Sequence, residues 1–593
     1  MKNFLGQVLA VLVAFTIIGS VGGLFVAIGV AVGGGSDGIK DKSLLKLNMS
    51  LPIVDKPISN DVGEAVREIA KGNEPPEGIT LRTVLDSIEY AATDDRIAGI
   101  YLTGNAGGGM RTGWANFAEV RRALIEFKAS GKKIYAYNEN YGERDYYLAS
   151  VADNLYLNKF GFMELNGFAA DMMFFKKAFE KYGVNAQVTR VGKYKSAVEP
   201  YLLDKMSDAN REQITTLLND LMTAFIDGVV ESRGLTAEEL NQIAQEKGVL
   251  MSDAAVEAKL FDAARDYDEV LDELREVTGT EPGKKIENVL GFGKYHAAIA
   301  DKIKKSSKEK IAVVYAEGTI VDGESKKNVG GRTVARLLRK AREDKDVKAV
   351  VLRVNSPGGS AQASELILRE VRLTKAEKPI VVSMGSLAAS GGYWISAYAD
   401  EIIAEPNTIT GSIGVFGLFF NFGELMTEHG VTTDVAATHN YAATGSAYRA
   451  MSQEELDFMQ DIIDFIYEGF LDRVSEGRNL PREQVAEIAQ GRVWSGARAK
   501  ELGLVDQLGG LEDALAAAAK RAELEAYQIE QFQKEMTPME NLMEKMGMNT
   551  MVQTESRAET DLRRMISEAE ALLKTYNDPR GVYARLPYEL EID

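Results

Sequence analysis

The sequence predicts an α/β protein made of two tandem copies of one domain behind an N-terminal transmembrane helix. Three observations lead there. The chain repeats itself: Arg82-Thr83-Val84 recurs as Arg332-Thr333-Val334, and Asn105-Ala106-Gly107-Gly108-Gly109 recurs at the same spacing as Asn355-Ser356-Pro357-Gly358-Gly359. Within each copy, short β-branched or apolar runs alternate with helical patterns, which indicates βαβ units and a largely parallel sheet. Finally, no residue from Phe4 to Val32 carries a charge.

A helix rises about 1.5 Å per residue, so the run from Phe4 to Val32 is long enough to cross a hydrocarbon core of about 30 Å. A cleaved signal peptide has a shorter apolar region, so a retained single-pass anchor is expected here rather than a cleaved signal or a buried helix. Lys2 favours an N-terminus inside, but Lys40 and Lys42 follow the run closely, and the positive-inside count hardly decides the orientation. Gly33-Gly34-Gly35-Ser36 reads as a flexible tether, placing anchor and tether at 1–35.

The first repeat is expected at 45–280. Its segments are a helix over Thr83–Ala92, a strand over Gly99–Thr103, a helix over Gly113–Lys128 and a strand over Ile134–Tyr137. A polar, lysine-rich joint follows at 281–310, and the second repeat at 311–525. There the strands are Ile311–Tyr315, Ala349–Val354 and Ile380–Ser383, with helices Val334–Glu343 and Ala361–Thr374 between them. Each copy closes on a helical pair, Ala254–Leu260 with Tyr267–Val277 and Ala497–Leu502 with Leu511–Ala522. In the tail, 526–593, Met536, Met539, Met543 and Met546 form one stripe of a helix. That stripe either packs on its own domain or offers an adaptable surface to apolar peptide or a neighbouring subunit.

Composition narrows the chemistry. The chain of 593 residues has a net charge of −19, which argues against a nucleic-acid partner, since phosphate binding needs a basic footprint. It has no cysteine, which excludes thiol catalysis, disulfides and cysteine-ligated zinc. Its 3 histidines, His296, His429 and His439, show no metal-ligand spacing. Neither a metal site nor a cofactor is expected.

The duplication permits a comparison of one half with the other. Where the second copy has Ser390, the first has Glu143; where the first has Lys195, the second has Ala442. A serine and a lysine kept once each, in opposite halves, suggest one composite site. Ser390 stands in Ala388-Ala389-Ser390-Gly391-Gly392-Tyr393-Trp394, between an apolar strand and a helix predicted over Tyr393–Tyr398. Unpaired amides at a helix start favour a developing anion, and the glycines admit a substrate backbone. In isolation the same pattern is a serine N-cap with turn glycines.

A serine nucleophile needs a base, and no histidine here carries a signature for it. Lysine can serve if it is neutral, which burial promotes. Lys195 lies in Val191-Gly192-Lys193-Tyr194-Lys195-Ser196-Ala197-Val198-Glu199-Pro200, where Tyr194, Ala197 and Val198 can keep it dry, provided Glu199 points away. The turn Asn355-Ser356-Pro357-Gly358-Gly359 follows a strand and can supply oxyanion donors, or can simply connect strand to helix.

Taken together, these motifs and Thr410-Gly411-Ser412-Ile413-Gly414-Val415-Phe416-Gly417 resemble the signal peptide peptidase A family, bacterial membrane-anchored serine–lysine peptidases, in its long duplicated form. The resemblance runs from the anchor through both repeats and is weakest in the joint and tail. It implies a crotonase/caseinolytic-protease-like ββα spiral in each half. It also implies catalytic roles for Ser390 as nucleophile, Lys195 as general base and Ser412 as the serine that orients the lysine, with Gly359 and Gly391 as oxyanion donors and Gly358 beside them. The implied setting is the bacterial inner membrane, with the catalytic domains on the periplasmic side, as a homotetramer that degrades cleaved signal peptides and other apolar peptides. Two other readings are a non-catalytic membrane scaffold for apolar peptides and, ranked lower, a crotonase-type acyl-CoA enzyme.

Overall fold

Two largely parallel sheets of matching strand order form the body of the molecule. The computed structural model describes residues 38–56, 78–106, 112–304, 307–325, 328–532 and 582–585. The expected anchor and the methionine stripe lie outside these residues. Among the described residues no helix is long and apolar enough to cross a membrane.

The first sheet is ordered Ala263–Ala264, Asn154–Leu157, Lys133–Asn138, Ile97–Thr103, Ser43–Asn48 and Val289–Gly291, with every pairing parallel. Its strands read as near-continuous apolar runs because helices cover both faces. Helices Leu81–Thr93 and Trp114–Lys128 pack with Leu45, Leu47, Ile100 and Leu102 on one face. Helix Tyr267–Thr278 packs through Val270 and Leu274 on Leu44, Tyr101 and Tyr135 on the other.

The second sheet repeats the plan with Glu401–Ala404, Ile380–Ala389, Val347–Ser356, Lys310–Glu317 and Gln528–Phe532 in parallel, and adds Ile409–Gly411, Val493–Ser495 and Gln507–Leu508. Helices Gly331–Glu343 and Ala361–Lys375 cover one face, and Leu511–Arg521 the other. Ser360 caps Ala361–Lys375 by accepting the Ala363 amide at 3.2 Å.

Two stretches read as joint and tail contain edge strands. Val289–Gly291 pairs with Leu44–Lys46, and the helix Phe292–Ile303 sinks Phe292, Tyr295 and Ile299 into the first core. Gln528–Phe532 completes the second sheet in the same way, against Lys310–Val314. Short strands flanked by lysines and glutamates give a weak periodic signal, and only pairing makes them strands.

A third sheet joins the halves. Asn185–Val191 of the first half runs antiparallel to Val415–Asn421 of the second, from Asn185 opposite Asn421 to Val191 opposite Val415. Helix Asp208–Arg233, also of the first half, places Ile214, Leu217 and Leu221 against Ala389 and Val493 of the second.

The halves are pinned a second time by Arg353. Its side chain is fully buried, and its guanidinium donates to Asp55 Oδ1 at 2.9 Å and Glu119 Oε1 at 2.7 Å from the first half, and to Ser383 Oγ at 2.8 Å in its own. Removing one member of a buried ionic cluster strands the others in low dielectric. Arg353→Ala should therefore cost about 3–5 kcal/mol, read as a lower urea midpoint. Truncating exposed Arg482, which pairs with Glu468 and Asp472, should leave the midpoint unmoved.

Candidate active site

Past Val191 the chain turns at Gly192 (φ 101°) and carries Lys195 under the end of the second sheet. A Cβ at Gly192 would stand 2.4 Å from the Gln490 carbonyl, and the Tyr194 amide donates to Gln490 O at 3.0 Å, so the lysine loop is fastened to the other half. Ser390 follows the strand Ile380–Ala389 and precedes the helix Gly391–Ser396 with φ 54° and ψ −112°. A non-glycine residue in that region is strained by roughly 1–3 kcal/mol. The strain is held by two backbone hydrogen bonds, Ser390 N–H to Gly411 O and Trp394 N–H to Ser390 O, each 2.8 Å.

The serine and the lysine meet. Lys195 Nζ lies 2.8 Å from Ser390 Oγ, 3.0 Å from Ser412 Oγ and 3.1 Å from Ser412 O, and all three side chains are fully buried. Burial holds the Lys195 amine well below the usual ammonium range. Among the described residues it has no ion-pair partner. Glu199 is turned away, accepting from Ser207 Oγ at 2.6 Å and Asn210 Nδ2 at 3.0 Å. A neutral amine fits the three contacts: its two N–H groups can donate to Ser412 O and Oγ, and its lone pair can accept the Ser390 hydroxyl proton.

The glycines flank this group. Gly358 (φ 94°) and Gly359 (φ 154°) form the short strand Gly358–Ser360, and a Cβ at Gly359 would stand 2.0 Å from Ile320 O. The Gly358 amide donates to Ser356 Oγ at 3.2 Å. Gly391 opens its helix, so no carbonyl within that helix can take its amide.

Sequence reasoning missed the support around the lysine. Gly491 (φ 76°) leaves no room for a Cβ, which would lie 2.6 Å from Lys195 Cβ. Gln213 Nε2 donates to Tyr194 O and Ser196 Oγ, both at 2.9 Å, and Ser196 Oγ donates to Asn210 Oδ1 at 2.8 Å. Asn210 and Gln213 share the buried face of Asp208–Arg233 with Ile214 and Leu217, a polar pair at helical spacing that could have been noticed. Nothing in the sequence marks Gly491. His429 and His439 are exposed.

The equivalent positions of the other half carry no such chemistry. Glu143 opens the helix Glu143–Ala149 and accepts the amides of Asn166 at 2.7 Å and Gly167 at 3.0 Å. Ala442 lies exposed in a turn.

Peptidase family S49 matches residues 126–281 and 372–525, one match in each half. The chain belongs to this family. It is a serine peptidase. It is 36% identical over 583 residues to Protease 4 of Salmonella typhi, covering 94% of this chain and 92% of that protein. It is 39% identical over 462 residues to Protease 4 of Haemophilus influenzae, covering 76% of this chain and 74% of the relative. The chloroplastic serine protease SPPA of Arabidopsis thaliana is 33% identical over 459 residues, covering 75% and 66%.

The lysine leaves a signature in stability. Burial lowers its pKa on folding, so it costs stability fully at any pH below the lowered folded pKa. The cost fades as pH rises towards the ordinary value of 10.5 and is gone above it. Lys195→Met should thus raise the denaturation midpoint of the peptidase at pH 7 (about neutral), with the gain shrinking as pH climbs through the ordinary lysine range. At Gly491, substitution by Ala should displace the amine and lower kcat/KM by about 10²-fold while circular dichroism stays unchanged.

Proposed function

We propose that this peptidase is a membrane-anchored endopeptidase in which Ser390 attacks, Lys195 is the general base and Ser412 orients the lysine. Its substrates are cleaved signal peptides and other apolar peptides. The observation that carries this reading is the 2.8 Å approach of Lys195 Nζ to Ser390 Oγ in a buried site that offers the amine no ion pair among the described residues.

The chemistry follows from that approach. Neutral Lys195 takes the hydroxyl proton as Ser390 Oγ adds to a peptide carbonyl. The amides of Gly359 and Gly391 face the oxyanion, each donor being worth roughly 3 kcal/mol in the transition state, while the Gly358 amide holds the turn through Ser356. The tetrahedral intermediate expels the amine, which leaves with the proton held on Lys195. Water then enters, gives a proton to the lysine as it attacks the ester at Ser390, and the lysine returns that proton to Ser390 Oγ as the acid product leaves.

The resemblance in motifs supports the wider setting: a ββα spiral of the crotonase/caseinolytic-protease type in each half, a tetramer, and a periplasmic position on the bacterial inner membrane. The uncharged run from Phe4 to Val32 supports an anchor. An enzyme held there meets apolar segments as they leave the bilayer. Extended peptides of that kind gain affinity by pairing with strand edges.

Ser390→Ala and Lys195→Ala should each lower kcat/KM on an apolar peptide by roughly 10³-fold or more with the fold intact. A fluorophosphonate should label the native protein at Ser390. Full activity in either variant would refute the pair.

A further inference from the structure

The strand Val582–Arg585 lies in the middle of the third sheet, far in sequence from everything around it. The order there is Val329–Gly330, Ile320–Val321, Gly358–Ser360, Val582–Arg585, Val415–Asn421, Asn185–Val191. On one side Gly358, Gly359 and Ser360 stand opposite Arg585, Ala584 and Tyr583. On the other, Phe416 and Gly417 stand opposite Tyr583 and Val582. Both pairings are antiparallel. Without this strand, the edge of Gly358–Ser360 and the edge of Val415–Asn421 would face each other across an open slot.

That slot leads to the reacting groups. Gly358 follows Ser356, which pairs with Ala388 two positions before Ser390. Val415 follows Ser412, which contacts Lys195. The strand therefore runs from Gly417 towards Gly358, and its backbone approaches Ser390 in the N-to-C direction. The positive φ of Gly358 and Gly359 and their lack of side chains let a second backbone come close. A strand paired on both sides, advancing on a nucleophile over a glycine edge, has the hydrogen-bonding geometry of an extended peptide substrate.

We infer that Val582–Arg585 is a built-in competitor that occupies the substrate slot, so that any peptide must displace it. A substrate would bind in the same direction, antiparallel to Gly358–Ser360. The inference rests on the peptidase reading above, because it takes this slot as the substrate site. A competing internal strand lowers apparent affinity by the fraction of molecules in which the slot is open.

Two variants, each compared with the intact protein, test it. One variant ends the chain after residue 581; the other is Ala584→Pro, which removes a backbone donor from a strand paired on both sides. Both should lower KM for a fluorogenic extended peptide by about fivefold or more and speed fluorophosphonate labelling of Ser390 by a similar factor. The synthetic hexapeptide Gly-Val-Tyr-Ala-Arg-Leu (residues 581–586) should inhibit the truncated enzyme competitively. Unchanged KM and labelling in both variants, or a hexapeptide that does not compete, would overturn the inference. A fluorescent hexapeptide binding to truncated Ser390→Ala, read by anisotropy, reports slot occupancy without turnover. Binding there while the truncated enzyme cleaves nothing would sink the catalytic assignment and leave the occupancy of the slot standing.

Discussion

The antiparallel pairing of Asn185–Val191 with Val415–Asn421 is the constraint on which the site depends. It matches Val191 with Val415, so the lysine loop and the segment bearing Ser412 emerge at the same end of one ladder. A slip of one residue would turn every side chain of the strand to the opposite face and carry the loop past its seat. The second half enforces the register through glycines: Gly414 and Gly491 leave room for the lysine stem, and Gln490 receives the Tyr194 amide. The first half enforces it through the helix Asp208–Arg233, packed against the strand that ends before Ser390.

Two buried basic side chains show how partners decide the state of a charge. Arg353 and Lys195 are both fully removed from water. Arg353 keeps its charge, because Asp55 and Glu119 come within 2.8 and 2.7 Å of it and hydroxyl and amide groups take its remaining donors. Lys195 meets two hydroxyls and a carbonyl, and burial drives its amine towards the neutral form. Arg353 is a clamp between halves. Lys195 lies against Ser390 and Ser412 at the same interface between the halves that the clamp holds.

Most of the regular architecture was legible along the chain. Strands Ile97–Thr103, Lys133–Asn138 and Val347–Ser356 sit where apolar runs predicted them, and helices Trp114–Lys128 and Ala361–Lys375 lie within a residue or so of their expected bounds. Both faces of these sheets are covered, so the hydrophobic signal is continuous and strong. The edge strands Val289–Gly291 and Gln528–Phe532 were not legible, since they are short and set in charged sequence. Ser390, Lys195 and Ser412, which the structure brings together, were singled out through motif and the comparison of halves. Gly491, Asn210 and Gln213 were not, because their importance lies in what they touch.

The sequence by itself determined that the chain is duplicated, that the main sheet of each copy is largely parallel, and that a serine and a lysine survive once each in opposite copies. Those are properties of local pattern and of the set of side chains present. Only the tertiary structure decided that Ser390 and Lys195, 195 positions apart, come within hydrogen-bond reach in one chain. It also decided that Glu199 turns aside and that Val582–Arg585 pairs between Gly358–Ser360 and Val415–Asn421. Each of these depends on register between distant strands and on packing in three dimensions, and neither quantity is written in any short window of residues.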